Sequence, residues 1–319
     1  MKIVVTGASG FIGSHLCERL LAEEGNTVIG VDGFVPSGTP RWMKERNLRV
    51  LASHPRFSFV VNDIARTDWG SLLPNVDAVC HLAAIPGVRS SWGNDFPHYV
   101  ANNIVATQKL LEACRDYGVA KFVYGSTSSV YGEKTGQVSE AASVVPLSPY
   151  GVSKLTGEQL CRVYHLNDGL PVTILRFFTV YGPRQRPDMA FHRFIGSMLR
   201  GEPIPVNGNG LQTRDFTYVG DCVEGIAAVV ETEQQRLSGE IINIGGKERA
   251  SVLDCIAILE QHFGRKAELR FTGPKYGEPR HTWADIGKAR QLLRYEPKVG
   301  LRQGLLNEIE DLRKLYEQP

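Results

Sequence analysis

The sequence predicts an α/β protein, a doubly wound parallel sheet with a second, smaller domain. Three observations carry this expectation. Short apolar runs alternate with helical patterns through the first half of the chain. A glycine-rich turn joins the first run to the first helix. From about Tyr181 the texture shifts to Pro- and Gly-rich segments carrying Arg184, Arg186, Arg193, Arg200 and Arg214.

The first apolar run, residues 3–5, leads into Gly7-x-x-Gly10-x-x-Gly13 and then a helical pattern over 11–21. Glycines here permit a tight turn and close approach of a pyrophosphate, which rests on the unpaired N–H groups at the helix N-terminus. The spacing departs from the usual G-x-G-x-x-G dinucleotide pattern, so the strand-turn-helix context carries the argument. The next run, 27–31, ends in Asp32, a carboxylate placed to accept from ribose hydroxyls and to repel a 2′-phosphate; this predicts NAD over NADP. After the run 57–61, Asp63 and Ile64 border the adenine, with a solvated loop carboxylate as the competing reading.

Further strands are expected at 78–82, 121–124 and 172–176, with helices at 103–116 and 149–165 between them. Ligands of such a sheet lie at the strands' carboxyl ends. Residues 1–180 are thus expected to form a Rossmann domain and 181–319 mainly a substrate-binding domain, with segments around 212–245 (a strand at 216–219, a helix at 221–231, a strand at 240–244) returning to the first. The final helical pattern, 301–316, carries mixed charges and one apolar stripe, as a helix packed on the surface does.

Composition narrows the function. The 319 residues are 42% hydrophobic and 22% charged, as in an ordinary soluble protein able to bury a core. With 36 basic and 34 acidic side chains and no basic block, nucleic acid is not an expected partner. The N-terminus shows no signal-peptide pattern and no apolar stretch would span a bilayer, so no membrane partner and a cytoplasmic location are expected. The 6 cysteines are widely separated and read as buried thiols; no metal site is expected.

The chemistry is carried by Tyr150 and Lys154, which share one helix face, and by the hydroxyl run Ser126-Thr127-Ser128-Ser129 at the end of the preceding strand. A phenol titrates near pH 10, too high for an efficient base at neutrality, and a neighbouring ammonium lowers that value. Tyr150 then takes a hydroxyl proton while hydride leaves the same carbon, and Thr127 meets the same oxygen.

The chain resembles the extended short-chain dehydrogenase/reductase family along nearly its whole length. The resemblance rests on Thr6-Gly-Ala-Ser-Gly-Phe-Ile-Gly13, His81-Leu-Ala-Ala84, Ser126-Thr-Ser-Ser-Val-Tyr-Gly132, Tyr150-Gly-Val-Ser-Lys154 and Arg214-Asp-Phe-Thr-Tyr-Val-Gly-Asp221. Within that family it is similar to nucleotide-sugar epimerases. The segments Arg176-Phe-Phe-Thr-Val-Tyr-Gly-Pro183 and Arg186-Pro-Asp-Met-Ala190 are similar to UDP-glucuronic acid 4-epimerases. The resemblance implies Thr127, Tyr150 and Lys154 as the catalytic set. It implies Gly7, Gly10, Phe11, Ile12, Gly13, Asp32, Asp63, Ile64, Tyr150 and Lys154 at the NAD, and Arg214 at the substrate diphosphate. Arg280 is a further diphosphate candidate. His192 and Arg193 either line the nucleotide site or lie on a solvated helix face, and Arg89 either approaches the sugar or is an exposed loop arginine. A homodimer paired through the helices at 103–116 and 149–165 is also implied.

Departures from related activities sharpen the substrate. A 4,6-dehydratase needs a carboxylic acid pair where this chain has Ser128 and Ser129, and hydroxyls do not replace carboxylates as acid and base. A UDP-glucuronate decarboxylase typically has Glu at Ser129, and a UDP-galactose 4-epimerase Asn at Thr179. Thr127, Ser128, Ser129 and Thr179 offer hydroxyl donors suited to a carboxylate, with Arg186 as cationic partner, so the UDP-sugar expected is UDP-glucuronate rather than UDP-glucose. An NAD-binding sensor with a dead site would have lost Tyr150, Lys154 or Thr127, and none is lost.

Overall fold

The computed structural model describes residues 1–36, 38–273 and 276–316. The chain begins with β1 (Lys2–Thr6), α1 (Phe11–Leu21), β2 (Thr27–Asp32), α2 (Arg41–Ala52), β3 (Phe57–Val61), α3 (Trp69–Leu72) and β4 (Ala78–His81). It continues through α4 (Phe96–Tyr99), α5 (Ala106–Asp116), β5 (Lys121–Thr127), α6 (Pro149–Asp168), β6 (Val172–Phe177) and β7 (Val180–Tyr181). Then come α7 (Ala190–Arg200), β8 (Ile204–Asn207), β9 (Thr213–Tyr218), α8 (Val219–Glu231), β10 (Ile241–Ile244), β11 (Glu248–Ser251), α9 (Val252–Phe263), β12 (Leu269–Thr272), α10 (Gly287–Leu293) and α11 (Leu301–Tyr316).

The main sheet has seven strands in the order β10-β6-β5-β4-β1-β2-β3, and every pairing is parallel. Residues of β1 and β4 are buried almost throughout, as strands covered by helices on both faces must be. From β1 the chain winds one way to β3, and from β4 the other way to β6 and β10. The reversal between β1 and β4 opens a crevice at their carboxyl ends, where Gly7 and Leu82 lie.

One strand goes elsewhere than expected. Of the 216–219 run, residues 216–218 belong to β9, and Val219 starts α8; β9 pairs antiparallel with β11 and parallel with β7 in a separate three-stranded sheet. The edge of β6 is taken by β10 instead, whose Ile242 and Ile244 are fully buried. Only α8 and β10 return to the main sheet. There Val223, Ile226, Ala227 and Val230 of α8 join a core shared with Leu16 and Leu20 of α1. A separate core of Phe191, Phe194, Ile195, Phe216, Ile256, Leu305 and Ile309 builds the accessory region.

Two helices also differ from the sequence expectation. The pattern at 103–116 is a π-helical turn over Val100–Val105 running into α5. The wider turn places Asn103 so that it accepts from Ile85 N–H at 2.7 Å and donates to Ser153 Oγ at 3.0 Å, joining the loop after β4 to α6. α11 does more than cover the surface: Leu301, Leu305, Ile309 and Leu312 enter the accessory core, and fully buried Glu308 accepts from Gly182 N–H at 2.9 Å. All six cysteines are buried thiols. Among the described residues no helix is long and apolar enough to cross a membrane.

Candidate active site

The glycine turn is shaped for close approach. Gly7 has φ +71°, and a Cβ on Gly13 would lie 2.1 Å from the Gly7 carbonyl oxygen. Helix α1 starts from Gly10 with no side-chain cap and no acid in its first turn. Its first N–H groups, at Phe11, Ile12 and Gly13, thus have no intrahelical acceptor and face the crevice with the positive end of the helix dipole. This cradle fits a pyrophosphate.

At the end of β2, Asp32 is already held by groups of the protein. Its Oδ2 accepts from Ser9 Oγ at 2.6 Å, and its Oδ1 from Phe34 N–H at 2.9 Å and Lys44 Nζ at 3.3 Å. Lys44, from α2, softens the repulsion of a 2′-phosphate that Asp32 alone would exert. Asp63 caps the short turn Ile64–Arg66 by accepting from Ala65 N–H at 2.8 Å. Ile64 itself is buried in the core with Val31 and Trp69, so little of its side chain is left for a ligand.

At the ends of β4 and β5 the catalytic candidates converge. Helix α6 is started by Ser148, which accepts from Gly151 N–H at 3.1 Å, and by Pro149 in its first turn. Tyr150 meets Tyr99 edge to face, ring centroids 6.3 Å apart. Thr127 ends β5 and accepts from Ser129 N–H at 3.1 Å, which opens a short turn, Ser128–Val130, and holds the hydroxyl run in place. Lys154, one helical turn beyond Tyr150, is buried with its Nζ 4.1 Å from the centre of the Tyr124 ring.

The electrostatics add a group to the expected set. Burial raises the Tyr150 phenol above its ordinary value; the Arg186 cation and the Thr127 hydroxyl oppose this, and Tyr99 adds to it. Burial pushes the Lys154 ammonium down to about 8. Arg186, from the segment after β7, is thus a second cation, besides the Lys154 expected from the four-residue spacing, that favours the Tyr150 phenolate. Arg186 is in turn held two-for-two by Asp188, Nε to Oδ1 and Nη2 to Oδ2, both at 3.0 Å.

The other arginines divide. Glu278 accepts from Arg89 Nε at 2.7 Å and from Arg214 Nη2 at 3.4 Å, which brings both guanidinium groups to one acid. With its amide oriented to satisfy its neighbours, Asn207 accepts from Arg89 Nη1 and Nη2 at 2.9 and 2.6 Å. Arg280 is exposed; its backbone meets the cluster, its carbonyl accepting from Arg214 Nη1 at 3.2 Å. Arg193 lines a groove of about 490 Å³ between α7, β8 and β12, together with Pro187, Pro205 and Arg270. His192 borders the same groove, but both ring nitrogens are engaged, by the Gln185 carbonyl at 2.8 Å and Tyr316 Oη at 2.7 Å. Thr179 is half-buried beside β9, its carbonyl accepting from Thr217 N–H at 3.0 Å.

Sequence reasoning missed Ser9, Lys44, Asp188 and Glu278, and also His81, which sits between Thr6 Oγ1 at 2.8 Å and Thr107 Oγ1 at 2.9 Å. Burial pushes that imidazole down to about 3, so it is a neutral link between the glycine turn and α5.

Comparison with known proteins agrees with this geometry. Residues 3–245 match the NAD dependent epimerase/dehydratase family. The chain belongs to that family. It is 57% identical over 317 residues to an uncharacterized UDP-glucose epimerase of Bacillus subtilis, covering 99% of each chain. It is 40% identical to a UDP-glucuronate 4-epimerase of Thermodesulfobacterium geofontis, covering 95% of this chain and 93% of that one. This family member also superimposes, with TM-score 0.97 and 55% identity, on the crystal structure of UDP-glucuronic acid 4-epimerase from Bacillus cereus in complex with UDP-glucuronic acid and NAD, covering 99% of this chain and all (100%) of that one.

Proposed function

We propose that the protein is a UDP-glucuronic acid 4-epimerase that interconverts UDP-glucuronate and UDP-galacturonate with NAD. The observation that carries this reading is the joining of a Thr127–Tyr150–Lys154 set to hydroxyls at Ser128, Ser129 and Thr179 and a cation at Arg186, with no acid at the positions after Thr127. The likeness to the Bacillus cereus enzyme supports the same substrate. The domain reading is that residues 1–180, with the returning α8 and β10, form the NAD-binding unit and most of 181–319 the substrate unit.

Gly7, Gly10, Phe11, Ile12 and Gly13 hold the NAD pyrophosphate at α1, with Asp32 and Asp63 toward the adenosine. NAD supplies a hydride acceptor at C4 and, later in the same turnover, the donor that restores it. Tyr150 takes the O4 proton and Thr127 holds that oxygen. Lys154 contributes a buried positive charge beside them. The 4-keto sugar then turns within the cleft so that the opposite face of C4 would meet the returning hydride, and Tyr150 returns the proton to O4. Arg214 and Arg89 take the diphosphate on leaving Glu278, and the groove between α7 and β8 takes the nucleoside.

A 4-keto sugar acid is a β-keto acid, and it loses carbon dioxide fastest when the C5–C6 bond aligns with the carbonyl π system. In this reading the hydroxyls of Thr127, Ser128, Ser129 and Thr179, with Arg186, hold the carboxylate out of that alignment. A UDP-glucose/UDP-galactose 4-epimerase is the second reading, favoured by the Arg186–Asp188 pair, which neutralises the cation a carboxylate would need. Incubation with UDP-glucuronate and NMR of the products separates them. UDP-galacturonate is expected; turnover of UDP-glucose with UDP-glucuronate untouched would move the assignment to the second reading.

We also assign a cytoplasmic homodimer. Exposed Val105, Tyr117, Val152, Val163 and Leu166 on and beside α5 and α6 support pairing through those helices. A monomer in sedimentation at micromolar concentration would contradict it.

A further inference from the structure

Beneath the catalytic groups lies a buried ion pair that the mechanism above does not use. Glu158 follows Lys154 by four residues on α6 and is wholly removed from solvent. Its carboxylate accepts from Arg176 on both oxygens, Nε to Oε1 at 2.9 Å and Nη2 to Oε2 at 2.6 Å. Ser126 Oγ donates to the same Oε1. Arg176, from β6, lies over the Tyr131 ring at 4.7 Å, and Tyr131 Oη donates to Asn243 of β10 at 2.7 Å. One carboxylate thus joins the residue before Thr127 on β5, the helix that carries Tyr150 and Lys154, and the strand that leads to Thr179.

We propose that Glu158 is a positioning residue for the C4 chemistry, setting the charge environment of Lys154 along α6 while locking Thr127 on β5 in register with Tyr150. The proposal rests on the 4-epimerase reading for its reaction but not for its geometry.

The groups facing Lys154 bear this out. From β5 it meets the Tyr124 ring, whose phenol burial pushes well above its ordinary value. His81, on β4, is neutral. Along α6, Cys161 and Glu158 both oppose the burial that lowers Lys154. The Cys161 thiol is itself pushed up by burial and remains protonated. Cys114 of α5, which faces Cys161, is likewise a protonated thiol. Glu158, matched two-for-two by a guanidinium, is then the carboxylate of the set. Without it the Lys154 ammonium would lose its proton at lower pH.

The test compares Glu158→Gln with Glu158→Asp. In parent protein labelled at lysine Cε, the Lys154 resonance, identified by its loss in Lys154→Met, should titrate near pH 8, where it loses its proton as pH rises. In E158Q the midpoint should fall by about one pH unit, and the alkaline limb of kcat should move with it. E158D keeps the charge, so its midpoint and limb should stay near the parent's even as Tm falls. Removing one partner of a buried pair strains folding; if E158Q does not fold, Glu158→Gln with Arg176→Met removes both charges and should move the midpoint in the same direction. A folded variant lacking the Glu158 charge, with the parental Lys154 midpoint, would overturn the proposal. The NMR titration needs no substrate, so failure of the UDP-glucuronate assignment would appear separately, as an inactive parent with the expected Lys154 midpoints.

Discussion

The proposed C4 centre and the arginines proposed to grip the substrate are built on opposite plans. Around Tyr150 the supports are fixed and internal: Lys154 over Tyr124, Asn103 to Ser153, and Glu158 to Arg176 and Ser126. At the proposed diphosphate contacts the cations are already paired with an acid of the protein, both Arg89 and Arg214 with Glu278. The first plan pre-arranges charge where it develops during reaction. The second keeps partly exposed cations satisfied until a phosphate displaces the acid. In the proposed reading, rigidity is placed at the chemistry, and exchangeable partners at binding.

Substitutions should separate the two plans by which kinetic constant they change. Tyr150→Phe removes only the proton-transfer group; kcat should fall by about 10³-fold, with NAD content and Tm near the parent. Loss of cofactor and fold together would place Tyr150 among the structural residues. Arg214→Ala should act on the other side of the comparison, raising KM by roughly tenfold to a hundredfold with a smaller change in kcat, because a charge-assisted contact to the diphosphate is lost. An equal fall in kcat at unchanged KM would assign Arg214 to the C4 centre.

Ser128→Ala with Thr179→Ala probes the boundary between the plans. Epimerisation should fall by about tenfold while the fraction of UDP-4-keto-pentose and carbon dioxide rises, with UDP-glucose handled no worse than by the parent. Unchanged carbon dioxide release and parental affinity for UDP-glucuronate would remove these hydroxyls from the carboxylate site. The smallest effect is expected for Glu278→Gln, which releases Arg89 and Arg214 to the substrate and should lower KM by about two- to threefold. A raised KM would show that Glu278 orients the arginines rather than occupying them.

The sequence exposed what is local. Gly7, Gly10 and Gly13 span one turn, and Tyr150 and Lys154 one helix face, so spacing alone implied their geometry. The parallel sheet followed from alternating apolar runs, but the destination of β9 did not, because its apolar residues suit either sheet and only competition with β10 for the β6 edge decides. Glu278 meets Arg89 across 189 positions, and Arg186 reaches Tyr150 from beyond β7. No periodicity relates such residues. Lys44 beside Asp32 is intermediate, twelve residues away across a loop. Glu158 was within reach: a carboxylate one turn past Lys154 on the catalytic face is visible by the same helical spacing that selected Tyr150.

The central claim is that hydride leaves C4 and returns to C4 of the same sugar in a closed site. UDP-glucuronate carrying deuterium at C4, incubated in ordinary water, tests it most directly. The UDP-galacturonate formed should retain the deuterium at C4, as read by NMR and mass, and turnover should be slower than with the protiated substrate if hydride transfer limits it. Deuterium lost to solvent, with protium at C4 of the product, would contradict the account, because it would require C4 to exchange as a proton rather than travel as a hydride.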